Sequence, residues 1–177
     1  MPMLPTTVLV FWVAGARLGL RVEAVSEVLP LVALRRAPET PAPVAGFLAL
    51  DGRMIPVLHL EKLLRLDLEG TGWDPLGTLS NRIVVAEMPD GPLAWIAGPE
   101  AGLAHCEEVE TVRLPPGHIL NRCAQWVIAR QPPEPSIVVL EPERLLLEKE
   151  RACIEGLRER AQERLAALAA PADEETR

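Results

Sequence analysis

Apolar and polar positions alternate through most of the chain, which is the pattern of half-buried β-strands. The clearest stretch runs from Val44 to Leu64 and reads VAGFLALDGRMIPVLHLEKLL. Two apolar strands there flank a turn at Asp51-Gly52, and the second strand leads directly into a short charged helix. This stretch therefore predicts a β-hairpin followed by one or two helical turns.

The same order of signals returns in weaker form in the second half of the chain. Ile55 to Leu64 reads IPVLHLEKLL and Ile137 to Leu146 reads IVVLEPERLL, so six of ten positions coincide. The loop from Asp67 to Ser80, with three Gly and one Pro, separates the two regions. Self-similarity of this kind predicts two related halves, which we place at about residues 8–66 and 80–140.

The remaining strands follow from alternation and from breaks at Pro and Gly. Hairpins through Gly15-Ala16-Arg17 and Pro89-Asp90-Gly91-Pro92 open the two halves in the same way. An extended linker with Pro38, Pro41 and Pro43 follows the first hairpin. Many short strands of this kind predict barrels. The predicted strands are Val8 to Ala14, Leu18 to Val25, Arg82 to Met88, Leu93 to Ala97, Leu103 to Leu114, Ile119 to Ala129 and Ser136 to Leu140.

The apolar spacing changes to a helical one near the end of the chain. From Glu141 onward, apolar residues recur at intervals of three, four or seven, which is the period of one helix face. Pro142 suits a first helical turn. We expect an amphipathic helix of some thirty residues beginning near Glu141, with residues 148–170 as its C-terminal element and a disordered tail at 171–177. The apolar positions are Leu147, Ile154, Leu157, Ala161, Leu165 and Leu168.

Composition and charge exclude several classes of partner. The formal charge of -7 and the pI near 5.1 argue against binding the phosphate backbone of nucleic acid. No stretch reaches the roughly 20 apolar residues of a membrane helix, so direct membrane insertion is not expected. Cys106, Cys123 and Cys153 have no paired or CxxC spacing, which favours reduced thiols in a cytoplasmic protein.

Candidate chemical groups are few. Cys106 and its neighbour His105 would point to opposite faces of a strand, so they make an implausible nucleophile and base. Alternation places His59 on the face opposite Leu58 and Leu60, towards solvent, and His118 falls in a turn. No nucleotide, hydrolase or metal signature occurs, so we expect no cofactor, no metal and no enzyme. The acidic residues Glu107, Glu108 and Glu110 are interpreted as a solvated strand end.

The ordered set of motifs resembles the CheW-like domain family. The pieces are VLVFWVAG, LGLRVEAVSEVLPL, RRAPETPAPVAG, FLALDGRMIPVLHLEKLL, and NRIVVAEMPDGPLAWIAG with PSIVVLEPERLL. The resemblance covers Val8 to Leu147, so we take residues 1–147 as the CheW-like domain. It implies a mainly β fold of two intertwined five-stranded SH3-like barrels, with a C-terminal α-helix added here. It also implies a non-enzymatic cytoplasmic adaptor that links chemoreceptors to the regulatory domain of a CheA-type histidine kinase.

The resemblance also points to partner-binding residues. Glu27 matches an acidic residue that family members use near the receptor-binding groove, and Val25 and Val28 flank it. Gly46 and Pro56 match motif positions that we interpret as structural.

One departure from the family concerns charge. Where the family commonly has Asn-Leu-Arg-Gly, this chain has Ala49-Leu50-Asp51-Gly52, and Arg53 stands two places after the reversed position. Reversing a charge at a contact replaces an attraction with a repulsion, so receptor coupling is expected to differ. We therefore keep Asp51 and Arg53 as candidate partner-binding residues. Two alternatives remain: a diverged module that binds another partner or self-associates through its C-terminal helix, and an enzyme with a polar pocket at His59 or His105.

Overall fold

The computed structural model describes residues 7–36, 40–106, 111–114 and 123–169. Within these ranges the chain forms eleven strands and two α-helices. Helix α1 spans Leu60–Leu63 and helix α2 spans Glu148–Ala169. The strands are β1 Thr7–Val13, β2 Ala16–Arg21, β3 Val25–Pro30, β4 Val44–Leu50, β5 Arg53–Leu58, β6 Arg82–Ala86, β7 Leu93–Ala97, β8 Ala101–His105, β9 Thr111–Arg113, β10 Ala124–Ile128 and β11 Ile137–Leu140.

The strands form two sheets, and the first of them combines strands from the beginning and from the end of the chain. The first sheet has the order β8-β1-β2-β11-β10-β9, and the second has the order β3-β6-β7-β5-β4. The N-terminal hairpin thus joins the last four strands in one sheet, through β8 and β11, and the middle of the chain forms the second sheet. Strand β11 runs parallel to β2 and β5 runs parallel to β7, while the other pairings are antiparallel.

The predicted mainly β architecture of two intertwined units with a C-terminal helix is confirmed. The internal repeat has a structural basis, because β5 and β11 each pair in parallel with the second strand of a hairpin and each lead into a helical turn. The first sheet has six strands rather than five. The predicted strand Leu103 to Leu114 instead contributes β8 and β9, which lie at opposite edges of that sheet.

The main core joins the two sheets. Phe11 on β1 and Trp95 on β7 are fully buried, and their ring centroids lie 6.1 Å apart. Such aromatic pairs contribute about 0.5–1.5 kcal/mol beyond the burial of their area. Because each ring comes from a different sheet, this core stabilises the two sheets as one unit.

Other predicted boundaries are wrong as well. The predicted strand Leu18 to Val25 ends at Arg21, because Val22–Ala24 forms a 3-10 turn and Val25 begins β3. The first hairpin turns at Ala14-Gly15, with φ of 47° and 79° and with Val13 paired to Ala16, rather than at Gly15-Ala16-Arg17. The C-terminal helix begins at Glu148 rather than near Glu141, because Pro142–Arg144 forms a separate 3-10 turn. Several sequence-based predictions fall outside the described residues. They concern Pro38, Glu107, Glu108, Glu110, the turn at 115–118 and the tail at 171–177.

Helix α2 is the longest helix in the described part of the chain. No helix there combines the length and the apolar character needed to cross a membrane. Helix α2 instead packs its apolar side on β4 and β5.

Candidate partner-binding surface

Strand β3 forms one edge of the second sheet and carries three of the predicted site residues. It pairs with β6 alone, through Val25 to Ala86 and Glu27 to Val85. The register shifts between these two pairs, which leaves Ser26 as an extra residue in a β-bulge. Bulges at sheet edges redirect side chains and interrupt pairing, so this edge is less open to the addition of another strand.

The side chains of β3 alternate between the core and the surface. Val25 is half-buried against the main core, and Val28 is 39% exposed. Glu27 is half-buried and forms no ion pair with any residue that the structure describes. The edge therefore presents a carboxylate without a cationic partner among the described residues on one face and an exposed apolar side chain, Val28, on the other.

Asp51 and Gly52 form the tip of the hairpin between β4 and β5. Their φ values are 48° and 75°, and the flanking Leu50 and Arg53 are paired. Positive φ at both central residues defines the type I′ turn, which favours Asn-Gly and Asp-Gly. Asp51 is exposed, so it also presents a negative charge to solvent. The residue at position 51 therefore has a backbone role as well as a charge.

We expect Asp51→Arg to lower the free energy of unfolding by about 1 kcal/mol, because a long side chain is disfavoured in the left-handed conformation. Asp51→Asn should leave stability within about 0.5 kcal/mol of the native value, since Asn suits the same turn. Urea unfolding of both variants measures the difference. An Arg variant as stable as the native chain would show that the turn places no demand on residue 51.

Arg53 lies at the end of the second sheet where β3 begins. Its guanidinium lies 3.9 Å from a carboxylate oxygen of Glu87, and the backbone N–H of Glu87 donates to the carbonyl of Ala24 at 3.1 Å. Both side chains of the ion pair are more than half exposed, so the pair contributes about 0–1 kcal/mol. Glu87 thus links the hairpin to the residue before Val25. Sequence reasoning missed Glu87, because no local pattern connects it to Arg53.

The side chain of Gln162 on helix α2 forms two hydrogen bonds with the hairpin between β4 and β5. The amide of Gln162 donates to the carbonyl of Gly52 at 2.8 Å and accepts from the N–H of Met54 at 2.9 Å. These two bonds replace a neighbouring strand at the start of β5, because β7 pairs only with Val57 and Leu58 further along. Because α2 contacts β4 and β5, it lies at the opposite side of the sheet order from β3. Sequence reasoning missed Gln162, whose only signal is a polar position beside the apolar stripe.

The prediction that His59 faces solvent is wrong. The strand ends at Leu58 and α1 begins at Leu60, so strand alternation no longer applies and His59 is only 7% exposed. Its Nδ1 lies 2.9 Å from Oε1 of Glu61, which is 3% exposed. Neither Nδ1 nor the second carboxylate oxygen makes a well-aligned hydrogen bond, so the pair is a close polar contact.

The other candidates for chemistry do not converge. His105 lies at the exposed edge of the first sheet, with Nδ1 3.0 Å from Oγ1 of Thr7. Cys106 packs partly into a small core of that sheet, whereas Cys153 is exposed on α2. Among the described residues, no group of three His, Cys, Asp or Glu side chains could hold a metal ion. His59 and His105 belong to different parts of the fold and form no common site.

Comparison with known proteins identifies the family. No curated protein matches the chain. Among solved structures, the scaffolding protein TtCheW from Thermoanaerobacter tengcongensis is similar in fold, with a TM-score of 0.68 and 24% sequence identity. The alignment covers 83% of this chain and 90% of that one. A sequence profile of the CheW-like domain matches residues 7–121, well over half of the chain. The chain therefore belongs to the CheW-like domain family, whose members are non-enzymatic scaffold proteins of chemotaxis signal transduction.

Proposed function

We propose that this protein is an adaptor that couples the cytoplasmic tip of chemoreceptors to the regulatory domain of a CheA-type histidine kinase, in a cytoplasmic array. Family membership supports the adaptor role. The single observation that carries the receptor contact is the state of Glu27. It is a half-buried carboxylate at a sheet edge and has no ion-pair partner in the described chain.

Glu27 and its neighbours in β3 suit a partner that reaches over the sheet edge with a cation and an apolar side chain. Val25 and Val28 flank Glu27 in the strand but lie on the other face of the sheet, and Val28 is exposed enough to be covered by such a partner. A receptor Arg or Lys docked here would form a charge-assisted hydrogen bond to Glu27.

Asp51 and Arg53 are proposed to set the choice of partner. Arg53 is engaged with Glu87 at 3.9 Å, whereas Asp51 forms no ion pair with another described residue. The tip of the hairpin therefore offers a net negative charge at the position where family relatives commonly offer a positive one. A partner with a basic residue at this contact would be favoured, and one with an acidic residue would be rejected.

We expect Glu27→Arg to weaken binding to a receptor cytoplasmic fragment by tenfold or more, which is about 1.4 kcal/mol or more. The matched control is Glu69→Arg, which makes the same charge change in the exposed loop between α1 and β6. Calorimetric titration with receptor fragments and with the regulatory domain of each CheA-type kinase from the same genome measures both contacts.

Two results would contradict this proposal. Equal losses in the Glu27 and Glu69 variants would show a general charge effect rather than a site at β3. Failure of the native chain to bind every kinase domain and every receptor fragment would refute the coupling role itself. Binding to one kinase with receptor binding lost only in the Glu27 variant is the expected pattern.

The alternative is self-association through α2, which two exposed leucines favour. Leu147 and Leu168 lie outside the packed stripe, and Leu168 is 74% exposed. However, Ile154 and Leu157 are buried against the chain's own sheets, so most of the apolar stripe is occupied. We therefore propose that residues 1–147 form the adaptor domain and that the helix of 148–170 supports it. A native molar mass equal to that of one chain, unchanged in Leu168→Glu, would remove the alternative.

A further inference from the structure

Strand β8 is the least protected sheet edge in the part of the chain that the structure describes. The two sheets end at β8, β9, β3 and β4. Phe47 of β4 forms two hydrogen bonds with Arg35 along its outer side, and β3 contains the bulge at Ser26. Strand β9 has only three residues and ends at the exposed Arg113. Each of these features hinders the addition of another strand.

Strand β8 lacks these features. It spans Ala101–His105 and pairs with β1 in an unbroken antiparallel register. No described strand pairs with its outer side. The backbone N–H and C=O groups that point away from β1 therefore suit a further strand, because an open sheet edge binds extended peptides through such groups.

The fold itself does not explain the glycine at position 102 of this strand. Gly102 does not have a positive φ, and a Cβ added there would meet nothing within 4 Å. Glycine weakens a strand interior, and it often marks a place where a ligand or another backbone approaches closely. Gly102 therefore indicates a close approach by a group outside the described chain.

The face of β8 that carries Gly102 borders a pocket of about 450 Å³. Gly102 pairs with Val10, and Val10, Trp12 and Arg17 line the pocket beside it. The guanidinium of Arg17 lies 5.9 Å from the ring centre of Trp12, and its Nη1 lies 3.2 Å from a carboxylate oxygen of Glu134, which balances its charge. A large side chain placed over Gly102 would occupy this space.

The pocket also contains a carboxylate that no described cation balances. Glu100 lines the pocket directly before β8, is exposed, and forms no ion pair with any residue that the structure describes. On the other face of β8, Leu103 is 68% exposed. The edge therefore combines space for a large side chain with a negative charge on one face, and an apolar contact on the other.

We propose that β8 binds an extended segment of a partner protein as an additional antiparallel strand, with an aromatic side chain over Gly102 and a basic side chain at Glu100. Aromatic side chains cover glycines at sheet edges, and a basic side chain would form a charge-assisted hydrogen bond with the carboxylate. The two partner residues lie two positions apart, because alternate side chains of a strand share a face. The site belongs to the first sheet, so it is distinct from the surface at Glu27 and Asp51.

The probe is the synthetic peptide acetyl-Thr-Thr-Leu-Phe-Thr-Arg-Thr-amide. In an antiparallel pairing its Leu, Phe and Arg lie opposite Leu103, Gly102 and Glu100. Calorimetric titration of the full chain measures binding, and amide hydrogen exchange locates it. We expect saturable binding of one peptide, with exchange slowed by about tenfold or more in β8 and unchanged in β3. No saturation, or protection outside β8 alone, would overturn the proposal.

Gly102→Val tests the space over the glycine. Its branched side chain would lie where the peptide's aromatic ring is placed, so we expect binding to weaken by about tenfold or more. The variant is expected to fold, because the added Cβ meets nothing within 4 Å and valine favours strands. Thermal unfolding checks this. A folded variant that binds the peptide as tightly as the native chain would contradict the proposed placement.

A reversal of charge tests the contact at Glu100. Glu100→Lys should weaken binding by about fivefold or more, and a peptide with Glu in place of its Arg should recover the loss. Glu69→Lys makes the same charge change in the loop between α1 and β6 and should leave binding within about twofold of the native value. Equal losses in the two variants, or no recovery with the acidic peptide, would overturn the proposal. Because Glu100 is exposed, its variant gives a result even if the Gly102 variant does not fold.

Discussion

Replacing Leu157 with Ala is expected to lower the free energy of unfolding by about 2–5 kcal/mol, the range for removing a buried leucine side chain. Leu157 is 5% exposed and packs against Phe47 of β4 and Met54 of β5, which are also buried. Ala retains the helical propensity of this position, so the loss reports on packing rather than on helix formation. Urea unfolding followed by circular dichroism measures it.

The control lies in the same helix. Leu168→Ala makes the same chemical change at a side chain that is 74% exposed, so we expect a change within about 0.5 kcal/mol. If the two variants lost similar, small amounts of stability, α2 would not be held on the sheet in solution. A large loss at Leu157 alone would establish the helix as a part of the folded domain, attached where Gln162 meets the hairpin.

Gly46→Ala is expected to be about as damaging, with a loss of about 2–6 kcal/mol. Gly46 has a φ of +155°, and a Cβ added there would lie 2.9 Å from the carbonyl oxygen of Arg35 and from Cβ of Leu34. The unfavourable backbone conformation costs about 1–3 kcal/mol, and the clash costs a further 1–3 kcal/mol or so. The neighbouring residue Phe47 forms two hydrogen bonds with Arg35, of 2.7 and 2.9 Å, so a shift of this strand would disturb them.

Gly102→Ala is the matched control for Gly46. Gly102 lies on β8, and a Cβ added there meets nothing within 4 Å. We expect stability to be unchanged or raised by up to about 1 kcal/mol, because Ala loses less backbone entropy than Gly on folding. Thermal unfolding of both variants gives the comparison. A harmless Gly46→Ala would show that Arg35 and β4 can separate without cost, and that Gly46 is not required by the fold.

The sequence predicted the elements that local signals define. Strand β4 has the predicted limits of Val44–Leu50, and β7 has the predicted limits of Leu93–Ala97, because apolar alternation and flanking turn residues mark both. The Asp51-Gly52 turn was predicted for the same reason. The split of one predicted strand into β8 and β9 was missed, since pairing with opposite edges of a sheet leaves no local pattern.

The residues of the candidate surface also fall into two groups, those that the sequence predicted and those that only the structure revealed. The resemblance of ordered motifs to a family predicted five partner-binding residues, which are Val25, Glu27, Val28, Asp51 and Arg53. Their neighbours could not be found in this way. Glu87 lies 34 residues after Arg53 and Gln162 lies 110 residues after Gly52, so only the folded chain brings these pairs together. The burial of His59 was mispredicted because a change from strand to helix ends the alternation on which the prediction depended.

The sequence by itself determined the strands with strong alternation, the main turns, the internal repeat and the family, because each depends on residues close in the chain or on their order. Only the tertiary structure decided that the N-terminal hairpin joins the last strands, that α2 covers β4 and β5 while β3 stays at an edge, and that His59 meets Glu61 in a buried contact. These features depend on which surfaces are buried together. Burial is decided by packing over the whole chain, which no local pattern records.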